Sequence, residues 1–214
     1  MNQFKKSIFL LFITFTLPAF AAESEVHLND LNYCKVTKAV MNNYEPEKFE
    51  TSNNLTKRAG QDPTYCGEKV VVHGRLLDQN CVPISDAKIY AWQANCNGKY
   101  SYKPLRNNLD EDLIDADYNL TFTGNGTATT NNKGEFTFII VYPPSMHKRP
   151  PHLNVRVEHH RLGNLQTILT LRGKKVKNPQ NNPELNSISA IAEKQGMSIY
   201  DFELVLPGTT LKDY

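Results

Sequence analysis

From Glu68 onward the chain is a run of short alternating segments cut by turn residues. A chain with that rhythm folds as paired strands rather than as helices. Residues 69–77 are β-branched and apolar, and Asp78-Gln79-Asn80 then turns the chain. Residues 87–94 form the next segment, with Ala87, Ile89, Ala91 and Gln93 on one face. Residues 127–130 are extended, and Asn131-Asn132-Lys133-Gly134 carries a hairpin signal, because Gly takes a positive φ without cost. In 135–141 Phe136 and Phe138 share a face. Pro143-Pro144 interrupts, and strands follow over 152–158, 165–171 and 198–206, the last alternating Tyr200, Phe202, Leu204 and Leu206. A short helix is predicted over 188–195, with Gly196 as its stop. About seven short strands with turns between them predict a mainly β fold, an antiparallel β-sandwich.

Before that region the chain is different in kind. Lys5 and Lys6 precede an apolar run over 7–20, and Ala19-Phe20-Ala21 ends it with small residues. This is the tripartite pattern of a signal peptide over 1–21, cut after Ala21. The run is too short to span a bilayer comfortably, which takes about 20 apolar residues. The sequence thus predicts an exported protein, periplasmic or secreted, with no membrane association after cleavage. Residues 22–65 read as an arm with one short amphipathic helix marked by Leu28, Leu31, Val36, Ala39 and Val40. The sandwich domain is expected over 66–214.

In a chain of 214 residues the net charge of +2 excludes a strongly electrostatic partner, nucleic acid included. The cluster Lys174, Lys175 and Lys177 reads as a solvated loop. Cys34, Cys66, Cys81 and Cys96 are an even set in an exported chain and predict disulfides. Four cysteines allow three pairings, and spacing does not choose among them. No Cys-x-x-Cys pair favours zinc instead.

Three stretches carry the chemistry. They are Trp92-Gln93-Ala94-Asn95 followed by Gly98-Lys99-Tyr100, then Phe122 to Gly126 with Thr130 to Phe138, then Arg149-Pro150-Pro151-His152-Leu153-Asn154-Val155. In that order, over residues 66–208, the chain resembles the intradiol ring-cleavage dioxygenases. The resemblance implies a non-haem Fe(III) held by two tyrosines and two histidines, an aromatic diol substrate, and ring opening between its hydroxyls by O2. It implies Tyr100 as the first tyrosine ligand and His152 as the first histidine of a His-x-His pair. Arg149 falls where the family stabilises the substrate's developing charge. Tyr142 is the tyrosine nearest the second phenolate position, which ungapped counting places on Met146. Asn154 stands where the second histidine belongs, on the same strand face as His152. His147 is a further donor in that loop. A substrate-side glutamine falls on Ile168, with Gln166 two positions earlier.

Phenolate and imidazole suit ferric iron, and a bound cation favours the deprotonated phenol although free tyrosine has a pKa near ~10. His159 and His160, being strand neighbours, face opposite ways and read as solvated. His73 and Trp92 read as packing residues. Asn54, Asn119 and Asn125 begin N-x-Thr sequons. A second reading stays open on the residues alone: a non-catalytic sandwich of prealbumin-like strands that has lost the iron site and works as a binding or structural module, homo- or hetero-oligomeric.

Overall fold

The computed structural model describes residues 33–42, 44–62, 66–107, 109–115, 122–145, 150–172, 187–189, 192–194 and 196–208. The expected signal peptide, Leu28 and Leu31 of the arm, the Lys174–Lys177 cluster and Asn119 lie outside them. Among the described residues nine strands form two sheets, and the only helical element is the 3-10 turn Glu111–Leu113. No helix among them is long and apolar enough to cross a membrane.

The first sheet has the order β4-β1-β9-β8, from β1 (Lys69–Leu77), β4 (Glu135–Val141), β8 (Ala192–Lys194) and β9 (Met197–Val205). The second has the order β3-β2-β5-β6-β7, from β2 (Lys88–Trp92), β3 (Asn125–Thr129), β5 (His152–His159), β6 (Gly163–Arg172) and β7 (Ser187–Ser189). Period-two alternation sends one face of each sheet inward. Val70 and Val72 of β1, Phe136, Phe138 and Ile140 of β4, and Phe202 and Leu204 of β9 meet Ile89, Ala91, Val155, Val157, Leu169 and Leu171 of the other sheet in one buried core. The mainly β sandwich follows from this pattern.

Four local expectations are corrected. The strand pair β1 and β9 is parallel, with Val70 opposite Ser198 and Leu77 opposite Val205, so the sandwich is not purely antiparallel. The turn at Asn131 to Gly134 is present, with Gly134 at φ 74 and Asn131 Oδ1 accepting from the Lys133 and Glu135 amides. It does not close a hairpin, because β3 pairs with β2 and β4 with β1; it is a corner between sheets. The helix expected over 188–195 is replaced by β7 and β8, since β6 offers a free edge to the first and β9 to the second. Gly196, at φ 75, turns β8 back into β9 rather than ending a helix. Finally, the described part of the arm holds no helix.

The arm is instead an irregular strap that covers both open sides of the sandwich. On one side the Thr37 amide donates to the Val205 carbonyl and the Val40 amide to the Gln166 carbonyl, bridging β9 and β6. Thr37 Oγ1 accepts from the Val205 amide, and Thr167 Oγ1 donates to the Lys38 carbonyl. On the other side the Ile139 amide donates to the Asn53 carbonyl and the Thr127 amide to the Ser52 carbonyl, bridging β4 and β3, while Leu55 fills the core between them. Backbone groups that would be orphaned at sheet edges are thereby paired. Between these two seams the strap crosses the outer face of the second sheet.

Disulfides fix the strap at each end. Cys34–Cys81 joins its start to the turn after β1, and Cys66–Cys96 joins the segment beyond it to the loop after β2.

Gly126 is where the strap comes closest. A Cβ added there would lie 2.1 Å from the Ser52 carbonyl oxygen, a backbone atom that cannot swing aside. We expect Gly126→Ala to lower stability by about 1–3 kcal/mol, as overpacking does, read as a lower midpoint in chemical denaturation. An unchanged midpoint would show that the strap yields there without cost.

Candidate active site

The loop after β2 positions Tyr100. Asn95 organises it: Oδ1 accepts from the amides of Asn97 and Lys99, and Nδ2 donates to Ser101 Oγ. Gly98 takes φ 77 to close the turn, and its amide donates to the Asn95 carbonyl. Gln93, fully buried, donates from Nε2 to the Val141 carbonyl and so ties the end of β2 to the end of β4. The Trp-Gln-Ala-Asn…Gly-Lys-Tyr motif is therefore a device for presenting Tyr100. The Tyr100 amide donates to the Leu113 carbonyl and its carbonyl accepts from the Asp115 amide.

Tyr100 is 2% exposed and packs with Trp92, Ala94 and Tyr102, covered by Tyr44, Phe49, Leu113 and Ile114. The Tyr44 ring lies flat on it, with centroids 4.7 Å apart and planes 8° apart. The Tyr102 ring is 5.8 Å away, and its hydroxyl donates to the Tyr44 carbonyl. Burial, helped by the neighbouring Tyr100 and Glu45, pushes the Tyr102 phenol well above its usual range, so it stays a neutral donor. Trp92 Nε1, fully buried in the same cluster, has no hydrogen-bond partner among the described residues.

His152 opens β5 directly after Pro150-Pro151 and is buried. Its Nδ1 lies 2.8 Å from the Pro150 carbonyl, a partner that only accepts. Nδ1 therefore carries a proton, and in the neutral ring the lone pair sits on Nε2. Asn154 follows on the same face, opposite Trp92 in the β2–β5 ladder and Ile168 in the β5–β6 ladder. Tyr100 and His152 thus belong to the same end of the outer face of the second sheet.

Tyr142 is placed elsewhere. It leaves the end of β4, packs against the main core beside Tyr200, and donates from its hydroxyl to the Leu171 carbonyl at 3.3 Å. Burial raises its pKa, and the Glu68 carboxylate adds to that direction. Its hydroxyl still lies near the start of β5, since the Leu171 amide donates to the Pro151 carbonyl. Gln166 is engaged with the strap, donating to the Asn42 carbonyl. Arg149, His147 and Met146 lie outside the described residues.

The site contains residues that sequence patterns did not single out. Asn42, Tyr44, Glu45 and Phe49 come from the strap. Glu45 pairs with Arg156, whose guanidinium stands 4.1 Å from the Tyr90 ring centroid. Phe49 meets Tyr90 and Trp92 edge-on. Tyr44 and Phe49, two aromatics in the largely polar stretch 42–54, were the available signal.

As a test of an iron centre, the donors fit at two positions. Tyr100 brings a buried phenol and His152 an imidazole with a fixed tautomer, as metal-bound histidines have. Asn154 is a poor fit, because it offers a neutral amide oxygen that already accepts from Asn42 Nδ2, while its Nδ2 donates to the Trp92 carbonyl. Among the described residues no cluster of three or more His, Cys, Asp or Glu side chains is placed to hold a metal.

Known proteins resemble this chain in sequence and in fold. A family model described as "Dioxygenase" matches residues 42–178. A Rickettsia felis protein provisionally named a dioxygenase is 43% identical over 210 residues, covering 98% of this chain and 100% of its own. Among solved structures, an intradiol ring-cleavage dioxygenase from Tetranychus urticae superposes with a TM-score of 0.59 at 19% identity, covering 81% of this chain and 95% of that one. A 3-chlorocatechol 1,2-dioxygenase from Rhodococcus opacus gives 0.55 at 19% identity, over 85% of this chain and 75% of that one. At such identities the structural likeness speaks for the fold.

Proposed function

Because this chain belongs to the intradiol ring-cleavage dioxygenase family, we propose that it is a ferric dioxygenase acting on an aromatic diol, its iron held by Tyr100 and His152. What supports this reading is that a buried phenol and an imidazole whose Nδ1 is held by the Pro150 carbonyl lie toward the same end of one sheet face. Iron bound there would supply Lewis acidity for the two diol oxygens and an electron acceptor for the reaction with O2.

The chain's own part is positioning and exclusion of water. The carbonyl of Pro150 keeps the His152 lone pair on Nε2. Tyr44 and Tyr102 hold the Tyr100 ring and cover it from bulk water. Arg149, three residues before His152, is assigned to the negative charge that develops on the diol. Trp92 Nε1, still without a partner among the described residues, is a donor available to a bound ligand. We place the working protein outside the cytoplasm, where its two disulfides are stable.

The test is aerobic loading with ferric iron, followed by metal analysis, visible absorption and oxygen uptake with catechol as probe. We expect stoichiometric iron, a tyrosinate-to-iron charge-transfer band and oxygen uptake. Colourless, iron-free protein after loading would overturn the proposal and return the sandwich to a binding or structural role.

A further inference from the structure

We propose that Asn154, at the position of the family's second histidine ligand, is not a metal donor but the anchor that holds the strap over the site, making Tyr44 a positioning residue for Tyr100. Only the iron-reading arm of the test rests on the function proposed above.

The hydrogen bonds fix the orientation of both amides. The Tyr44 backbone N–H can only donate, so the Asn42 atom 2.8 Å from it is Oδ1. Asn42 therefore presents Nδ2 to Asn154, which must answer with Oδ1. That leaves Asn154 Nδ2 facing the Trp92 carbonyl at 3.1 Å, a pure acceptor, which is the arrangement observed. Reversing either amide would set donor against donor or acceptor against acceptor. Asn154 is fully buried and Asn42 nearly so, so each lost bond would strand a polar group away from water.

The chain of contacts then runs outward. Asn42 also gives its carbonyl to Gln166 Nε2, which fastens it to β6. It fixes the backbone of Tyr44, whose carbonyl is held in turn by the Tyr102 hydroxyl. The Tyr44 ring, so placed, lies parallel to Tyr100. One carboxamide on β5 thus sets the ring that covers the phenol two elements away. A cation on the second lone pair of Asn154 Oδ1 would set its charge against the Asn42 Nδ2–H that shares the oxygen, and so work against this register.

The test uses the full mature protein and two readouts. In hydrogen exchange, Asn154→Ala and Asn42→Ala should each speed the Tyr44 amide and the Leu105 amide, which donates to the Glu45 carbonyl, by about tenfold, the effect of one lost buried hydrogen bond. The double variant should exchange no faster than the faster single one. In ferric loading, both variants should keep the wild-type iron content. Tyr44→Leu should shift the charge-transfer band and Tyr44→Phe, which keeps the stacked ring, should restore it. Iron lost from Asn154→Ala but kept by Asn42→Ala would overturn the proposal, as would unchanged exchange in both. If wild-type protein takes up no iron, the functional reading falls while the exchange arm still decides the anchor. If Asn154→Ala does not fold, Asn42→Ala, on the strap and outside both sheets, decides the exchange arm alone.

Discussion

Reducing both disulfides should cost this protein more stability than any single substitution in its core. Cys34–Cys81 joins residues 47 apart and Cys66–Cys96 residues 30 apart. On the chain-entropy account, closing loops of those lengths in the unfolded ensemble stabilises the fold by about 4 kcal/mol each. The two loops overlap between residues 66 and 81, so the combined loss should fall short of the sum. It would still rival the 5–15 kcal/mol or so that an ordinary domain possesses. The folded state has a second reason to depend on them: the strap holds no regular structure, and its pairing with both sheets is a few isolated hydrogen bonds on each side. Without its end points, the entropy of that segment works against those bonds. Urea unfolding of wild-type protein, of Cys34→Ser with Cys81→Ser, and of Cys66→Ser with Cys96→Ser should show midpoints falling in each pair variant. Exchange should speed first in residues 37–55. Coincident curves would mean that the strap is held by its packing alone.

The parts of this fold that could be read from the sequence are those where local pattern and tertiary partner agree. Strands β1 and β4 begin and end where alternation predicts, because Val70, Val72, Phe136 and Phe138 are both good strand residues and core residues. Residues 187–189 and 192–194 are ambiguous by pattern, and their state is decided by the edges that β6 and β9 offer them. The Asn131 to Gly134 turn illustrates the same division: its chemistry is local, but which strands it joins is not. Tyr100 and His152, proposed above as iron ligands, could be singled out in the sequence because each sits beside a local positioning device, the Asn95 turn and the Pro150-Pro151 pair. Asn42 and Tyr44 could not. Asn42 meets Asn154 across 112 residues of sequence, and an irregular segment has no period to reveal which side chain faces in. The cysteine pairing was hidden for the same reason.

The sharpest division of the site is between two phenols. Tyr100→Phe keeps the ring that stacks on Tyr44 and fills the same buried volume, removing a single oxygen. Its effect on folding should stay within the 0.5–1.5 kcal/mol or so of one hydrogen bond. Its effect on iron should be far larger. Losing a directly bound donor should exceed the 10–100-fold or so in affinity that outer-shell changes cost, and the charge-transfer band should vanish with the phenolate that produces it. Tyr142→Phe should do the reverse. It gives up the bond to the Leu171 carbonyl and loosens the contact with Tyr200, so its cost should be read in stability, with the visible band unchanged. Tyr142, with its pKa raised by burial and its hydroxyl donating to the Leu171 carbonyl, must break that bond before it can serve as an anion. Were Tyr142→Phe to bleach the protein while Tyr100→Phe stayed coloured, the phenolate would have to come from the end of β4, and the centre would lie between the sheets' edges rather than on the face that the strap covers.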